Sequence, residues 1–424
     1  MIALTNATLV ELQPARLRRA TLVLDGGKIH SIGEAIPKGA EVIDCDGRLV
    51  MPGFVCAHTH LYSALARGMP PAREAPANFT QILERVWWKL DRALDAEAVE
   101  LSALTGALDA LHAGCTTLVD HHASPAAADG SLDLVGDAVE KIGLRGVLCY
   151  EASDRGGRDE ARAGVRENDR FLGRLAKSPR PLLRGMVGAH AAFTLSDATA
   201  EELADVAARH QTGVHVHVAE DGVDAKKNGL PVVSWLEQRG LLSSRALLAH
   251  AIHVSDDDAA RIVASGAHVA HNPRSNANNA VGYARPSRFG DRLLLGTDGI
   301  GADMRSEAQA AFLWAQAHRD PFDAAQALER NRAFAGFQFG LSFALEPGGA
   351  ADVVVLDYRS PTPLEPRNLA GHLLFGLPGV PVRHVIVDGR VALRDGRAVN
   401  VDEAAIDARA QAAAKKLWAA ISAA

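Results

Sequence analysis

Apolar and polar residues alternate in short runs over the first fifty positions. The run Ala20-Thr21-Leu22-Val23-Leu24 meets a turn at Asp25-Gly26-Gly27 and resumes over 28–33, and 42–50 repeats the pattern. Alternation bounded by such turns predicts strands and hairpins. A sheet this small is not stable alone. A second β-rich block lies near the other end: a strand over 351–357 after Gly348-Gly349, then strand, tight turn and strand over 382–391. Two incomplete blocks at opposite ends can complete one sheet, so 1–52 and 345–400 are expected to form one small discontinuous β-sandwich domain.

Between them the period changes. Short apolar runs at 54–58, 116–120, 145–150, 183–187, 213–218, 246–249, 268–271 and 293–296 alternate with helical patterns such as 98–112, 200–210 and 306–318. Eight strands spaced by helices predict an α/β fold, a (β/α)8 TIM barrel over 53–344, typically ~250 residues plus insertions. The alternative is an open doubly wound sheet, but no Gly-x-Gly-x-x-Gly follows an early strand. The Ala-rich stretch 401–424 is expected to be a C-terminal helix.

Composition narrows the class without naming a function. The chain has 424 residues, 48% hydrophobic and 23% charged, close to a globular average, which excludes a disordered chain. Its 45 Lys+Arg against 51 Asp+Glu give a charge of −6 with no long basic run, so no nucleic-acid partner is expected. There is no signal-like start and no apolar stretch of about 18 residues, so no membrane partner is expected either. Four cysteines are too few for a disulfide framework, and a cytoplasmic setting is the expectation.

The 17 histidines carry information through their placement. His58 and His60 flank Thr59 at the end of the first middle strand, and residues two apart on a strand point to one side. Two imidazoles on one face make half of a metal site, although a lone His-x-His serves a structural role as readily. The pattern then recurs at strand ends: Asp120-His121-His122, His190, His215 with His217 and Glu220, His250 with His253, His268 with His271, and Asp298. The C-terminal rim of a barrel is where such folds build active sites. His112, His210 and His318 fall on helical patterns and are expected to face solvent.

Taken together, Pro52-Gly53-Phe54-Val55-Cys56-Ala57-His58-Thr59-His60, His217-x-x-Glu220, His250 and Thr297-Asp298-Gly299 resemble the amidohydrolase superfamily. Within it the chain is similar to the cytosine deaminase and methylthioadenosine/S-adenosylhomocysteine deaminase group, over nearly its whole length. The segments Asp120-His121-His122-Ala123-Ser124-Pro125 and Trp87-Trp88 look closest to a bacterial branch of aminohydrolases.

The resemblance implies one divalent metal ion held by His58, His60, His217 and Asp298, with zinc favoured by this donor set and iron as the alternative. It implies that Asp298 takes a proton from water, that His250 holds and polarises that water, and that Glu220 shuttles the proton to a ring nitrogen and the leaving ammonia. His215 is out of register for a ligand and is expected to pack or bond locally, and His253 to bond behind the site. Binuclear relatives carry a carboxylated Lys after the fourth strand. Here that segment reads Gly185-Met186-Val187-Gly188-Ala189-His190-Ala191, with no Lys, which favours one metal.

Substrate contacts are expected from His122, His190, Arg155 and Trp88, while Arg274 is either polar rim or a substrate contact. Nucleoside deaminases of the group carry a Glu in the early segment, and Leu90 takes that place here, which favours a free heterocycle. The expected function is metal-dependent hydrolytic deamination of an amino-substituted nitrogen heterocycle, of purine, pterin, pyrimidine or triazine type. The enzyme is then a hydrolase of carbon–nitrogen bonds other than peptide bonds, its partners a small heterocycle and water, and its assembly a homodimer. The alternatives are an amidase or chlorohydrolase on a similar ring and, last, an inactive metal-binding scaffold.

Overall fold

The computed structural model describes residues 1–423. All eight strands expected in the middle of the chain are present. Phe54–Thr59, Cys115–His122, Arg145–Tyr150 and Leu183–Gly185 form a four-stranded parallel sheet. Val187–Ala191, Val214–Val218, Leu247–His250, His268–His271 and Leu293–Leu295 form a five-stranded one. Their interiors are apolar along the whole strand, as parallel strands covered by helices require.

The difference from one continuous ladder arises at Met186, which interrupts the fourth strand and donates its N–H back to Leu148 O at 3.0 Å. Across this seam Ala152 and Ala189 make an isolated parallel bridge. Gly188 is required there, because a Cβ would lie 2.3 Å from the Tyr150 carbonyl oxygen. At the other seam Thr59 bridges Asp298, and the N–H groups of Thr297 and Asp298 both donate to His58 O at 2.8 and 3.1 Å. Two parallel sheets with bridged seams thus stand where a closed barrel is expected.

The chain ends supply one nine-stranded sheet. Antiparallel pairing of Leu49–Pro52 with Val353–Leu356 joins the two halves, with Met51 opposite Val354 and Val50 opposite Val355. Alternation gives the sheet two apolar faces. Val50, Val353 and Val355 pack with Leu4, Leu22 and Ile386, while Met51, Val354 and Leu356 pack toward the helices of the middle segment. The described strands therefore run as one hydrogen-bonded sheet, where two stacked sheets are expected of a sandwich. The helix Glu403–Ala423 lays Ile406, Ala410, Ala413 and Leu417 into the same core, and Trp418 Nε1 donates to Leu65 O at 2.8 Å. Among the described residues no helix is long and apolar enough to cross a membrane.

Candidate active site

The rim of the parallel strands gathers the histidines. His58 lies in the strand Phe54–Thr59 and His60 directly follows it, and both are buried. Gly296 lets the neighbouring strand approach, since a Cβ there would stand 2.7 Å from His58 Cβ. His60 Nδ1 donates to His121 O at 2.6 Å and His217 Nδ1 donates to His190 O at 2.9 Å. These bonds turn both Nε2 atoms inward, where they face each other at 3.2 Å. Asp298 Oδ1 lies 2.9 Å from His60 Nε2 and 3.6 Å from His58 Nε2. The four donor atoms of His58, His60, His217 and Asp298 lie within 4.8 Å of one another.

This donor set fits a divalent cation on the structure's own terms. Two inward-facing imidazole nitrogens, each with its ring proton already committed to a carbonyl, repel unless a positive charge sits between them. His58 Nε2 is buried and has no hydrogen-bond partner. Burial pushes His58 down to about 3 and His217 far below its ordinary value, so both rings are neutral and offer lone pairs. Burial opposes a charged His60 as well, but Asp298 outweighs it and pushes His60 up to about 9, so a second proton on His60 Nε2 is one form that positive charge can take and a bound cation is the other. Asp298 is itself pushed up by burial, yet His58 and His60 prevail and hold it well below the carboxylate range. The pocket draws positive charge.

Beside this set stand Glu220 and His250. Glu220 Oε2 is 3.5 Å from His250 Nε2, which is 3.9 Å from Asp298 Oδ2. His250 Nδ1 donates to Asn276 Oδ1 at 2.9 Å, leaving Nε2 for the site. Burial pushes Glu220 up to about 7, so the carboxyl holds a proton near neutrality. The backbone is strained at these strand ends: φ is +46° at Ala219, +73° at His250 and +54° at Asp298. Non-glycine residues rarely adopt such angles, and here they aim side chains inward.

A cleft partly open to solvent lies above the histidines and is walled by Phe79, Leu83, Trp87, Trp88 and Phe193. A single π turn, Leu83–Trp87, presents the two tryptophans. Of the residues expected to meet substrate, His190 and Trp88 line this cleft. His122 is instead engaged with Ser124 Oγ at 2.9 Å between the Tyr62 and Tyr150 rings. Arg155 is buried behind the wall, 5.0 Å from the Trp88 ring, with Nη2 on Asp91 Oδ2 at 2.8 Å. Arg274 binds Glu307 and the carbonyls of Ile300 and Gly301, bracing the loop after Asp298.

His215 lies behind His58, with Nε2 2.8 Å from His58 Nδ1. His253 is exposed and donates to Val281 O at 2.7 Å, apart from the site. His318 is exposed, whereas His112 and His210 are half-buried and pair with Glu403 and Asp169.

Sequence reasoning missed several cleft residues. Leu90 is fully buried in the core, while the next residue, Asp91, lines the cleft with Oδ1 unpartnered. One helical step rotates a side chain by about 100°, which separates the two. Glu151 directly follows the strand Arg145–Tyr150, so the strand-end pattern could have found it. Its Oε2 lies 3.2 Å from His121 Nδ1 and its Oε1 3.7 Å from His190 Nε2. Burial pushes Glu151 up, yet His190, His121 and Arg155 outweigh it and hold the carboxyl below its ordinary range. Ser275, Asn279 and Asp224 carried no sequence signal beyond their loops.

Comparison with known proteins places this geometry. The model of the amidohydrolase family matches residues 49–392. The 5'-deoxyadenosine deaminase of Methanosarcina acetivorans is 30% identical over 439 residues, covering 99% of this chain and 98% of that protein. The 5-methylthioadenosine/S-adenosylhomocysteine deaminase of Desulforudis audaxviator is 30% identical over 394 residues, covering 89% of each. Among solved structures, a zinc-bound adenosine deaminase from Xanthomonas campestris superposes with a TM-score of 0.83 at 21% identity, covering 98% of both chains. A zinc-complexed atrazine chlorohydrolase from Arthrobacter aurescens TC1 gives 0.80 at 22% identity, covering 98% of this chain and all of its own, 100%. With its family match spanning most of its length and its inward-facing His and Asp set, the chain belongs to the amidohydrolase family.

Proposed function

We propose that the protein is a metal-dependent hydrolytic deaminase of an amino-substituted nitrogen heterocycle. The observation that carries the reading is the row Glu220 Oε2, His250 Nε2 and Asp298 Oδ2, at 3.5 and 3.9 Å, opening into an aromatic-walled cleft beside His60 and His217. His58, His60, His217 and Asp298 would hold the ion, zinc before iron. When bound, a divalent cation supplies Lewis acidity that lets water ionise near neutral pH.

The residues divide the proton work. Asp298 is held ionised and accepts a proton from the attacking water at Oδ2. His250 orients that water through Nε2. Glu220, protonated near neutrality, donates from Oε2 to the ring nitrogen beside the amino group. The proton gathered at Asp298 then leaves with the departing amine as ammonia, and the proton of the new hydroxyl returns to Glu220 Oε2 as the carbonyl forms. Trp88 and His190 meet the ring from the cleft wall.

Asp91 reopens the question of nucleosides. A free heterocycle follows from reading Leu90 at the position of a group carboxylate, but Asp91, one residue later, belongs to the cleft lining and has Oδ1 unpartnered. Relatives named for 5'-deoxyadenosine and methylthioadenosine support including such nucleosides with free purines, pterins, pyrimidines and triazines. We also read the two parallel sheets as one barrel closed at the bridged seams, and the terminal sheet as a sandwich folded about the Leu4, Leu22 and Ile386 core. Four buried, unpaired cysteines among the described residues accord with the cytoplasm, and a homodimer belongs to the same reading.

The test is ammonia release by the zinc-loaded enzyme across that panel. Release from at least one member is expected. Release of chloride or a carboxylic acid in its place replaces deamination with the chlorohydrolase or amidase reading, and no release from any of them removes it.

A further inference from the structure

We infer that Asn279 is a positioning residue that decides which oxygen of Glu220 carries the transferred proton. The inference rests on the deaminase reading above. Asn279 Nδ2 donates to Glu220 Oε1 at 3.2 Å, while Glu220 Oε2 faces His250 Nε2 at 3.5 Å. The amide cannot turn over freely, because its Oδ1 accepts from Asn278 Nδ2 at 3.1 Å. Its N–H₂ end is therefore directed at Glu220. Where only one of the two carboxyl oxygens accepts an amide N–H, the carbonyl form is favoured at that oxygen and the proton at the other. The acid proton is thereby confined to Oε2, on the side of His250 and the cleft.

Two further contacts make this a built arrangement. The backbone before Glu220 is held separately, by Asp224 Oδ2 accepting from Ala219 N at 2.7 Å, so Asn279 acts on the side chain alone. The short helix Pro273–Asn278, which Asn279 ends, also sends Ser275 Oγ to Asp298 Oδ2 at 2.5 Å and Asn276 Oδ1 to His250 Nδ1 at 2.9 Å. One eight-residue segment, 272–279, thus touches all three groups that handle protons. Of its contacts, the one to Glu220 governs the group whose proton must leave toward the substrate.

The test uses zinc-loaded wild type, Asn279→Asp and Asn279→Leu with the substrate that releases ammonia. Asp is isosteric and keeps the bond from Asn278 but donates nothing to Glu220, whereas Leu removes the polar group altogether. Both are expected to lower kcat about tenfold, the loss of one hydrogen bond to an ionisable group, with KM and zinc content unchanged. In the Glu220→Gln background neither is expected to lower the residual rate further. Crystals of zinc-loaded N279L are expected to show the Glu220 carboxyl rotated away from His250. An unchanged kcat, a raised KM, the same loss in the E220Q background, or an unmoved carboxyl in N279L overturns the inference. Failure of the deaminase reading looks different: wild type then releases no ammonia, or E220Q is as active as wild type.

Discussion

His215 Nε2 lies 2.8 Å from His58 Nδ1, and both rings are fully buried. Burial holds His215 far below its ordinary value, so it is neutral and can accept the His58 N–H. Its own Nδ1 faces Cys149 Sγ at 3.6 Å. His215 thereby fixes the ring of His58 with Nε2 directed at Asp298. Partners of this kind are worth about 10–100-fold in metal affinity. His215→Phe is expected to lose zinc affinity by that factor while keeping the fold. Chelator competition measures it, and an unchanged affinity would show that His215 only fills space.

Glu220 is the one carboxyl in the row that holds a proton near neutrality. Glu220→Gln keeps shape and the bond from Asn279 but cannot give up a proton. Zinc content is expected to stay at the wild-type level, and turnover to fall by about 10²–10⁴-fold. Metal analysis and ammonia release on the same preparation separate the two effects. A variant with wild-type turnover rules out Glu220 as the proton donor.

The residues that were legible in the sequence share one cause. Strand ends fix the direction of a side chain within one residue, so His58, His60, His217, His250 and Asp298 could be located at strand ends from the chain itself, while their selection as one site came from the resemblance to the amidohydrolase superfamily. The eight middle strands were legible for the same reason, since buried parallel strands read as apolar runs. What could not be read depends on rotation and on contacts between loops. Asp91 differs from Leu90 by one helical step. Arg155 was read as a group able to reach substrate, but two buried carboxylates, Asp91 and Glu151, draw it behind Trp88. Ser275 and Asn279 reach the site only because the loop after His271 folds over it.

Arg145 ties the middle of the chain to its ends. Its Nε and Nη2 each contact Asp352 at 2.9 Å, and Nη2 reaches Asp388 at 2.9 Å. Asp352 is almost completely buried. Removing one partner of such a pair strands a charge, at a cost of about 3–5 kcal/mol, whereas replacing both with apolar groups is far milder. Arg145→Met is therefore expected to lose roughly that much stability, and Arg145→Met with Asp352→Leu to recover most of it. Denaturant titrations at one fixed zinc concentration provide the comparison. Equal stability of the single and double variants would mean that the buried carboxylate is not what destabilises Arg145→Met.

Asp224 gives stability a pH dependence of unusual sign. Its Oδ2 accepts from Ala219 N at 2.7 Å and its Oδ1 from Phe193 N at 3.2 Å, so it fastens the Glu220 strand end to the loop after His190. Burial is the largest influence and pushes the carboxyl up from 3.8 to about 7. Between those values the folded protein keeps a proton that the unfolded chain has released. The folded state is then penalised as the pH rises, by up to about 1.4 kcal/mol per pH unit, and the loss stops above the folded value. Asp224→Asn has no such proton, and its amide can accept only one of the two N–H groups, which costs about 1–3 kcal/mol. The stability advantage of wild type over Asp224→Asn is therefore expected to be largest near pH 4, to shrink toward pH 7 and to stay constant above it. Unfolding both proteins across that range isolates this one group, because every other titration is common to the pair. A difference that is flat with pH would mean that Asp224 ionises in the folded protein as readily as in the unfolded chain.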